Sequence, residues 1–158
     1  MTIREIQPSD SQAVATLIRS VMTAYDCVGE GYSIHDAEVE DMYAAYNQPK
    51  AVYYVLVDKH KILGGAGIAP LQGGRPDICE LRKMYYYPEA RGKGLGSKML
   101  DLLLQEARNK GYKQCYLETV DRMAAANKLY AKYGFEKLSA QQGQTGHSGC
   151  DSYYVKQL

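Results

Sequence analysis

A basic, glycine-rich turn in the second half of the chain separates a strand-like run from an amphipathic helix. The turn reads Arg91-Gly92-Lys93-Gly94-Leu95-Gly96, and the run before it, Ile78 to Tyr87, is apolar and aromatic. Tyr112 to Thr119 follows the helix as another strand-like run. This order predicts a strand–helix–strand unit whose two strands are parallel and joined by a right-handed crossover. The helix is indicated by apolar residues at helical spacing: Met99, Leu100, Leu103, Leu104 and Ala107.

The remaining periodicities extend this unit to an α/β fold. Strands and helices are predicted in the order β-α-α-β-β-β-α-β-α-β-β, which gives a mixed sheet of about seven strands flanked by about four helices. The second helix is expected over Asp36 to Tyr46, and Ser139 to Gly149 is expected to be a mobile loop. No linker or repeat divides the 158 residues, so residues 1–158 are predicted to form one domain.

Charge and composition exclude several classes of function. The chain has 19 basic and 18 acidic residues, a formal net charge of +1, which does not favour binding to nucleic acid or to an anionic membrane. No segment has the length of a membrane span, and the N-terminus lacks a signal peptide, so a cytoplasmic location is expected. The four cysteines and three histidines are widely spaced, which does not suit a structural metal site.

The glycine turn has the composition of a phosphate site. Glycine allows close approach of the backbone, and the free amides of a first helical turn attract an anion. A Walker-type loop starting at Gly92 would need glycine at position 97, where Ser97 stands, and the dinucleotide fingerprint fails at the same residue. The phosphate of a different ligand is therefore expected here.

Two motifs together resemble the GCN5-related N-acetyltransferase (GNAT) family. The family's motif Arg/Gln-x-x-Gly-x-Gly/Ala is met by Arg91, Gly94 and Gly96. A second motif, an Asn followed by Tyr-x-x-Tyr/Phe-Gly-Phe, is met about 35 residues later, in the right order. Its residues are Asn127, Tyr130, Tyr133, Gly134 and Phe135.

The resemblance implies acetyl-CoA as the cofactor and a set of residues that hold it. The strands before and after the long helix splay apart in this family, and the pantetheine arm enters the gap like an added strand. Backbone groups of Met84, Tyr85 and Tyr86 would pair with that arm. The turn, with the charges of Arg91 and Lys93, would hold the pyrophosphate through the amides of Gly92, Lys93, Gly94, Leu95, Gly96 and Ser97. Asn127 and Tyr133 would bind the cofactor from the other side.

The resemblance also implies catalytic residues for acetyl transfer to a primary amine. Tyr130 matches the acid that protonates the leaving thiolate, although a core ring is the alternative. Glu80 matches a glutamate that serves as base in several family members, directly or through water, and its alternative is an edge or surface ion pair with Arg82 or Lys83. Alternation along the strand puts Glu80, Arg82, Met84 and Tyr86 on one face unless a bulge intervenes. Glu118 is a second candidate for the base or a substrate ligand.

The acceptor is expected to be a small-molecule amine bound by irregular segments. Tyr25, Glu30 and Tyr32 lie between the first two predicted helices, where the family builds its acceptor wall. His147 could cover the site, but a single loop histidine is more often incidental. A non-catalytic acyl-CoA sensor and a protein or peptide N-acetyltransferase are the alternative functions. The resemblance also leaves a homodimer open, because late strands in this family often pair between subunits.

Overall fold

A seven-stranded mixed sheet runs through the whole chain in the computed structural model, which describes residues 1–158. Its strand order is β1-β2-β3-β4-β5-β7-β6, and only β4 and β5 are parallel neighbours. The predicted order of strands and helices is confirmed. The strands are β1 (Thr2–Glu5), β2 (Val52–Asp58), β3 (Lys61–Pro70), β4 (Ile78–Tyr86), β5 (Gln114–Thr119), β6 (Glu136–Leu138) and β7 (Ser152–Gln157). The α-helices are α1 (Ser11–Ala24), α2 (Met42–Tyr46), α3 (Leu95–Asn109) and α4 (Ala124–Lys132).

Helices cover both faces of the sheet. Along β2, Tyr53 and Val55 pack with α1 and α2, whereas Val52 and Tyr54 pack with α3. Side chains of a strand point alternately to the two faces, so a strand that is covered on both sides must be apolar throughout. None of the helices is long and apolar enough to cross a membrane.

The second predicted helix is shorter than expected. The segment that follows Asp36 begins as a 3-10 turn, Ala37–Glu40, and only Met42–Tyr46 forms an α-helix. Asp41 causes the division, because its carboxylate accepts a hydrogen bond from the Ala44 amide (3.1 Å) and caps a new helix.

The parallel strands β4 and β5 separate part of the way along the sheet. Their pairing ends at Glu80 and Tyr116, although β4 continues to Tyr86 and β5 to Thr119. From there β5 pairs only with β7. The sheet therefore contains the gap that the family resemblance implies, and the backbone of the second half of β4 faces it.

A bulge in β4 changes which side chains share a face. The register with β3 shifts opposite residues 83 and 84, and Lys83 has a positive φ of 52°. Glu80, Arg82, Met84 and Tyr86 therefore do not share one face, because the bulge that was the stated exception to strand alternation is present. Met84 and Tyr86 pack against the apolar residues of α3. Lys83 points to the opposite face of the sheet, the α1 side, where Glu80 and Arg82 also lie.

Tyr53 of β2 reaches across β3 and stabilises the bulge in β4. Its hydroxyl donates to the Lys83 carbonyl at 2.9 Å, and its ring lies over Gly65 and Gly67 of β3. A Cβ atom at either glycine would come within 2.7 Å of the Tyr53 side chain, so only glycine leaves room for the ring. The glycines of β3 thus help to place a charged lysine in the middle of the sheet.

Candidate active site

Two cavities meet in the gap between β4 and β5. The larger, the groove, has a volume of about 240 Å³ and extends to the glycine turn. The smaller, the inner pocket, has a volume of about 60 Å³ and lies between β4, β5 and the segment between α1 and α2. Their shared wall consists of Met84, Tyr85, Met123, Ala126 and Tyr130. A group bound in the groove can therefore reach the inner pocket only past these side chains.

The glycine turn opens α3 in a left-handed conformation. Gly92 (φ 72°) and Gly94 (φ 73°) both occupy it, and Gly94 is the N-cap of the helix. A Cβ atom added to either glycine would have no neighbour within 4 Å, so the space above the turn is open. The first-turn amides of α3 have no partner within the helix, and a phosphate bound there would accept from them.

Most of the residues predicted to bind the cofactor line the groove. Arg91 is held there by a hydrogen bond from its Nε to the Tyr86 carbonyl (2.9 Å). A concave, mainly apolar groove that ends in free backbone donors fits a thioester arm joined to a pyrophosphate. The lining members of the predicted set are Met84, Tyr85, Tyr86, Arg91, Gly92, Gly94, Leu95, Gly96 and Ser97.

Three predicted cofactor residues do not line the groove. Lys93 is exposed at the tip of the turn. Asn127 donates to the Val120 and Met123 carbonyls (3.0 and 2.9 Å), so it pins the segment before α4 instead of facing the groove. The Tyr133 hydroxyl donates to the carbonyl of Ser97 (3.0 Å) and joins α4 to α3. Asn127 and Tyr133 of the second motif thus stabilise the segments that form the groove without lining it.

Tyr130 stands where the two cavities meet. It is 5% exposed, and the one hydrogen-bond contact of its hydroxyl is with the Met84 sulfur at 4.0 Å, a weak acceptor. Burial raises the pKa of Tyr130 above the usual value of a phenol, so the hydroxyl stays protonated at neutral pH. The hydroxyl is available to donate a proton or a hydrogen bond to a group in the shared wall.

Glu80 lines the inner pocket at the last paired position of β4. Its side chain is buried, and one oxygen accepts from Arg82 Nε at 2.6 Å. Burial raises the pKa of Glu80, and the nearby Arg82 only partly offsets that effect. A carboxylate with a raised pKa binds a proton more readily, which suits a general base.

Glu118 of β5 also lines the inner pocket, but both of its carboxylate oxygens already have partners. One of its oxygens accepts from Thr145 (2.5 Å) and lies 3.2 Å from His147 Nδ1, and the other accepts from Tyr116 (2.7 Å). Burial opposes ionisation of Glu118, but these donors outweigh it and hold its pKa below the usual range. Glu118 is therefore a weaker proton acceptor than Glu80.

Two buried residues outside the predicted set of site residues, His147 and Lys83, complete the inner pocket. His147 is 8% exposed and lies between Asp36 and Glu118, so the expectation of an incidental loop histidine is wrong. Lys83, also buried, binds Asp36 (2.7 Å) and Glu38 (2.5 Å). Only Lys83 had a signal in the sequence, since a lysine in a strand buried on both faces needs partners.

One cluster has the donor atoms of a metal site. Ligand atoms of Glu80, Glu118 and His147 lie within 4.8 Å of one another. However, both nitrogens of His147 face carboxylates, and an imidazole with hydrogens on both nitrogens has no lone pair for a metal. The arrangement favours an ion-pair network.

The predicted acceptor residues separate into different places. Tyr25 lines the groove, where its ring lies 5.7 Å from the Arg91 guanidinium, and it does not reach the inner pocket. Glu30 is exposed and lines neither cavity. Tyr32 and Glu118 do line the inner pocket. The segment between α1 and α2 thus contributes to both cavities.

The sequence matches the model of a known family and a relative that aligns over nearly its full length. The model of the Acetyltransferase (GNAT) family matches residues 17–135. The chain is 39% identical to the Escherichia coli N-acetyltransferase YjgM, itself uncharacterised, over 99% of this chain and 94% of that protein.

Solved structures show the same fold. A GNAT-family acetyltransferase from Staphylococcus aureus Mu50 superposes with a TM-score of 0.87 at 18% identity, covering 99% of this chain and 98% of that one. The yncA protein of Salmonella typhimurium, solved with its cofactor acetyl-CoA, superposes with a TM-score of 0.77 at 23% identity, covering 99% and 93%.

Proposed function

Since the chain belongs to the GNAT acetyltransferase family, we propose that it transfers the acetyl group of acetyl-CoA directly to the primary amine of a small molecule. The observation that carries the proposal is the meeting of the two cavities at Tyr130, with Glu80 in the inner pocket. Acetyl-CoA, when bound, supplies an activated acetyl thioester. The groove and the glycine turn fit its arm and its pyrophosphate.

The residues around the junction would move two protons. An alkylamine is mostly protonated at neutral pH, and only its neutral form attacks, so Glu80 would accept a proton from the amine nitrogen, directly or through water. As the carbon–sulfur bond breaks, Tyr130 would donate its hydroxyl proton to the leaving sulfur, and the second proton that the nitrogen loses on becoming an amide would restore the phenol. Glu118 would stay ionised and hold the wall of the pocket.

The size of the inner pocket supports a small acceptor. A volume of about 60 Å³ has room for only a few atoms beyond the amine. Residues 139–151 lie across this side and reach the pocket through His147 and Cys150. A broad, open acceptor groove would instead favour a protein substrate.

The proposal is tested by measuring free thiol released from acetyl-CoA with a panel of small primary amines and of peptides with free N-termini or lysines. Calorimetric titration with acetyl-CoA is run in parallel. We expect cofactor binding together with turnover of at least one small amine. Cofactor binding without turnover of any amine or peptide would instead favour a sensor module. Turnover of peptides alone would contradict the small-molecule acceptor.

A further inference from the structure

The segment between β6 and β7, residues 139–151, is fastened across the inner pocket at three places. The Gln144 amide donates to the Gln72 carbonyl at 2.7 Å, and the Gly149 amide donates to the Gly31 carbonyl at 2.9 Å. Between these two backbone contacts, His147 enters the inner pocket. We call residues 139–151 the strap. It was expected to be a mobile loop, but these contacts anchor it to three other segments.

His147 is the charged fastening of the strap. Its Nε2 lies 2.8 Å from Asp36 Oδ2, and its Nδ1 lies 3.2 Å from Glu118 Oε1. A neutral imidazole has one donor and one acceptor nitrogen, so its acceptor nitrogen would face a carboxylate oxygen. Only the imidazolium can donate to both carboxylates. The geometry therefore favours the protonated form.

The two carboxylates come from two different segments of the chain, and only Glu118 lines the inner pocket. Asp36 comes from the segment between α1 and α2 and also binds Lys83 of β4. Glu118 comes from β5 and also accepts from Tyr116 and from Thr145 of the strap. Glu80 of β4 is a third carboxylate near His147. Two cations of β4 also face this cluster, since Lys83 binds the same Asp36 oxygen as His147 (2.7 Å) and Arg82 binds Glu80 (2.6 Å). The imidazolium therefore adds a third positive charge to a cluster of three carboxylates, and a neutral His147 would leave that cluster less well compensated.

We propose that His147, as an imidazolium bridging Asp36 and Glu118, is a positioning residue that holds the strap across the inner pocket and thereby sets the affinity for the amine. The part concerning the amine rests on the proposed function. His147 belongs neither to the wall that the two cavities share nor to the lining of the groove. We therefore expect the binding of acetyl-CoA not to depend on His147.

The charge of His147 gives the proposal a dependence on pH. Burial disfavours the imidazolium, but Asp36 and Glu118 outweigh it and raise the pKa of His147 from 6.5 to about 9. Because the pKa is raised on folding, the stabilisation is complete below pH 6.5 and is lost as pH rises through about 9. The strap should therefore loosen at alkaline pH.

The test compares His147→Gln with His60→Gln, a matched change in the exposed turn between β2 and β3. We expect His147→Gln to raise KM for the amine at least about tenfold, with kcat and the Kd of acetyl-CoA changed less than about twofold. Protection of the strap amides, measured against their intrinsic exchange rate at the same pH, should be lower in His147→Gln at neutral pH, and in the wild-type protein it should fall as pH rises through about 9. His60→Gln should change none of these.

A direct titration by NMR of the His147 ring completes the test, and Asp36→Asn should lower the pKa that it reports. Neither this titration nor hydrogen exchange needs turnover, so both remain informative if no amine is acetylated. Titration of His147 at or below its ordinary value of 6.5 would overturn the proposal. So would equal losses of cofactor and amine affinity in His147→Gln, which indicate general misfolding.

Discussion

The groove and the inner pocket share the wall at Tyr130 but offer different polar groups to a ligand. The groove is lined by the end of β4, by the glycine turn with the first turn of α3, and by mainly apolar side chains at the end of α1 and along α4. The groups that it offers to a phosphate are backbone amides of the turn. The inner pocket uses charged side chains from separate segments. Those that line the pocket are Glu80, Arg82, Lys83, Glu118 and His147, and their carboxylate partners outside it are Asp36 and Glu38.

This difference separates what each cavity can do. Backbone amides and open space recognise a phosphate whatever else it carries, so the groove suits a ligand common to a whole family. A network of paired charges holds one arrangement of walls and tunes single proton affinities, as the opposite pKa shifts of Glu80 and Glu118 show. The acceptor should therefore be decided in the inner pocket.

The largest effect is expected from the two glutamates of the inner pocket. Glu80→Gln should lower kcat about 100- to 1000-fold, because the amide cannot accept the amine proton. In the wild-type protein kcat/KM should fall as pH drops through the raised pKa of Glu80, and this limb should be missing in the variant. Glu118→Gln should keep the limb and mainly raise KM for the amine. The reverse assignment in pH-rate profiles would make Glu118 the base.

Tyr130→Phe tests the wall that the two cavities share. Loss of the hydroxyl should lower kcat about 100-fold, since the departing sulfur would lose its proton donor, while the Kd of acetyl-CoA stays nearly constant. Tyr133→Phe is the matched control on the same helix, where the hydroxyl serves only packing of α4 on α3. Steady-state kinetics and calorimetry measure both variants. Full activity of Tyr130→Phe would make Tyr130 a core ring.

Gly94→Val tests whether the groove depends on open backbone. The φ of 73° is costly for a branched residue, and the side chain would enter the space above the turn, so the Kd of acetyl-CoA should rise about 30-fold. Gly111→Val, at the other end of α3 and with a φ of 87°, carries a similar backbone strain away from both cavities. Calorimetry should show weakened binding only in Gly94→Val. Equal affinity losses would indicate that the strain, and not the site, matters.

The smallest effect is expected from Tyr25→Leu. The Tyr25 ring lies beside Arg91 in the groove, and loss of this cation–π contact should raise the Kd of acetyl-CoA about threefold. KM for the amine should stay constant because Tyr25 does not reach the inner pocket. Tyr32→Leu should show the opposite pattern. A change in the KM for the amine in Tyr25→Leu would indicate that Tyr25 contributes to binding of the acceptor, as the sequence predicted.

The parts of the site that were predicted lie within short stretches of sequence. The glycine turn, the helix behind it and the separation of β4 and β5 all depend on residues close in the chain or on the family motif. Predictions that required the direction of one side chain did less well. Alternation failed after the bulge at Lys83, and Asn127 turned to carbonyls of the preceding segment.

The sequence by itself determined the order of elements, the mixed sheet and the glycine turn that opens α3, because helical and strand periodicities and glycine backbone geometry are local properties. Only the tertiary structure decided that His147 lies between Asp36 and Glu118, which are 111 and 29 residues away in the chain. Ion pairs between buried groups depend on distances that the packed sheet and its loops create. The charged network of the inner pocket therefore became visible only when the fold brought these residues together.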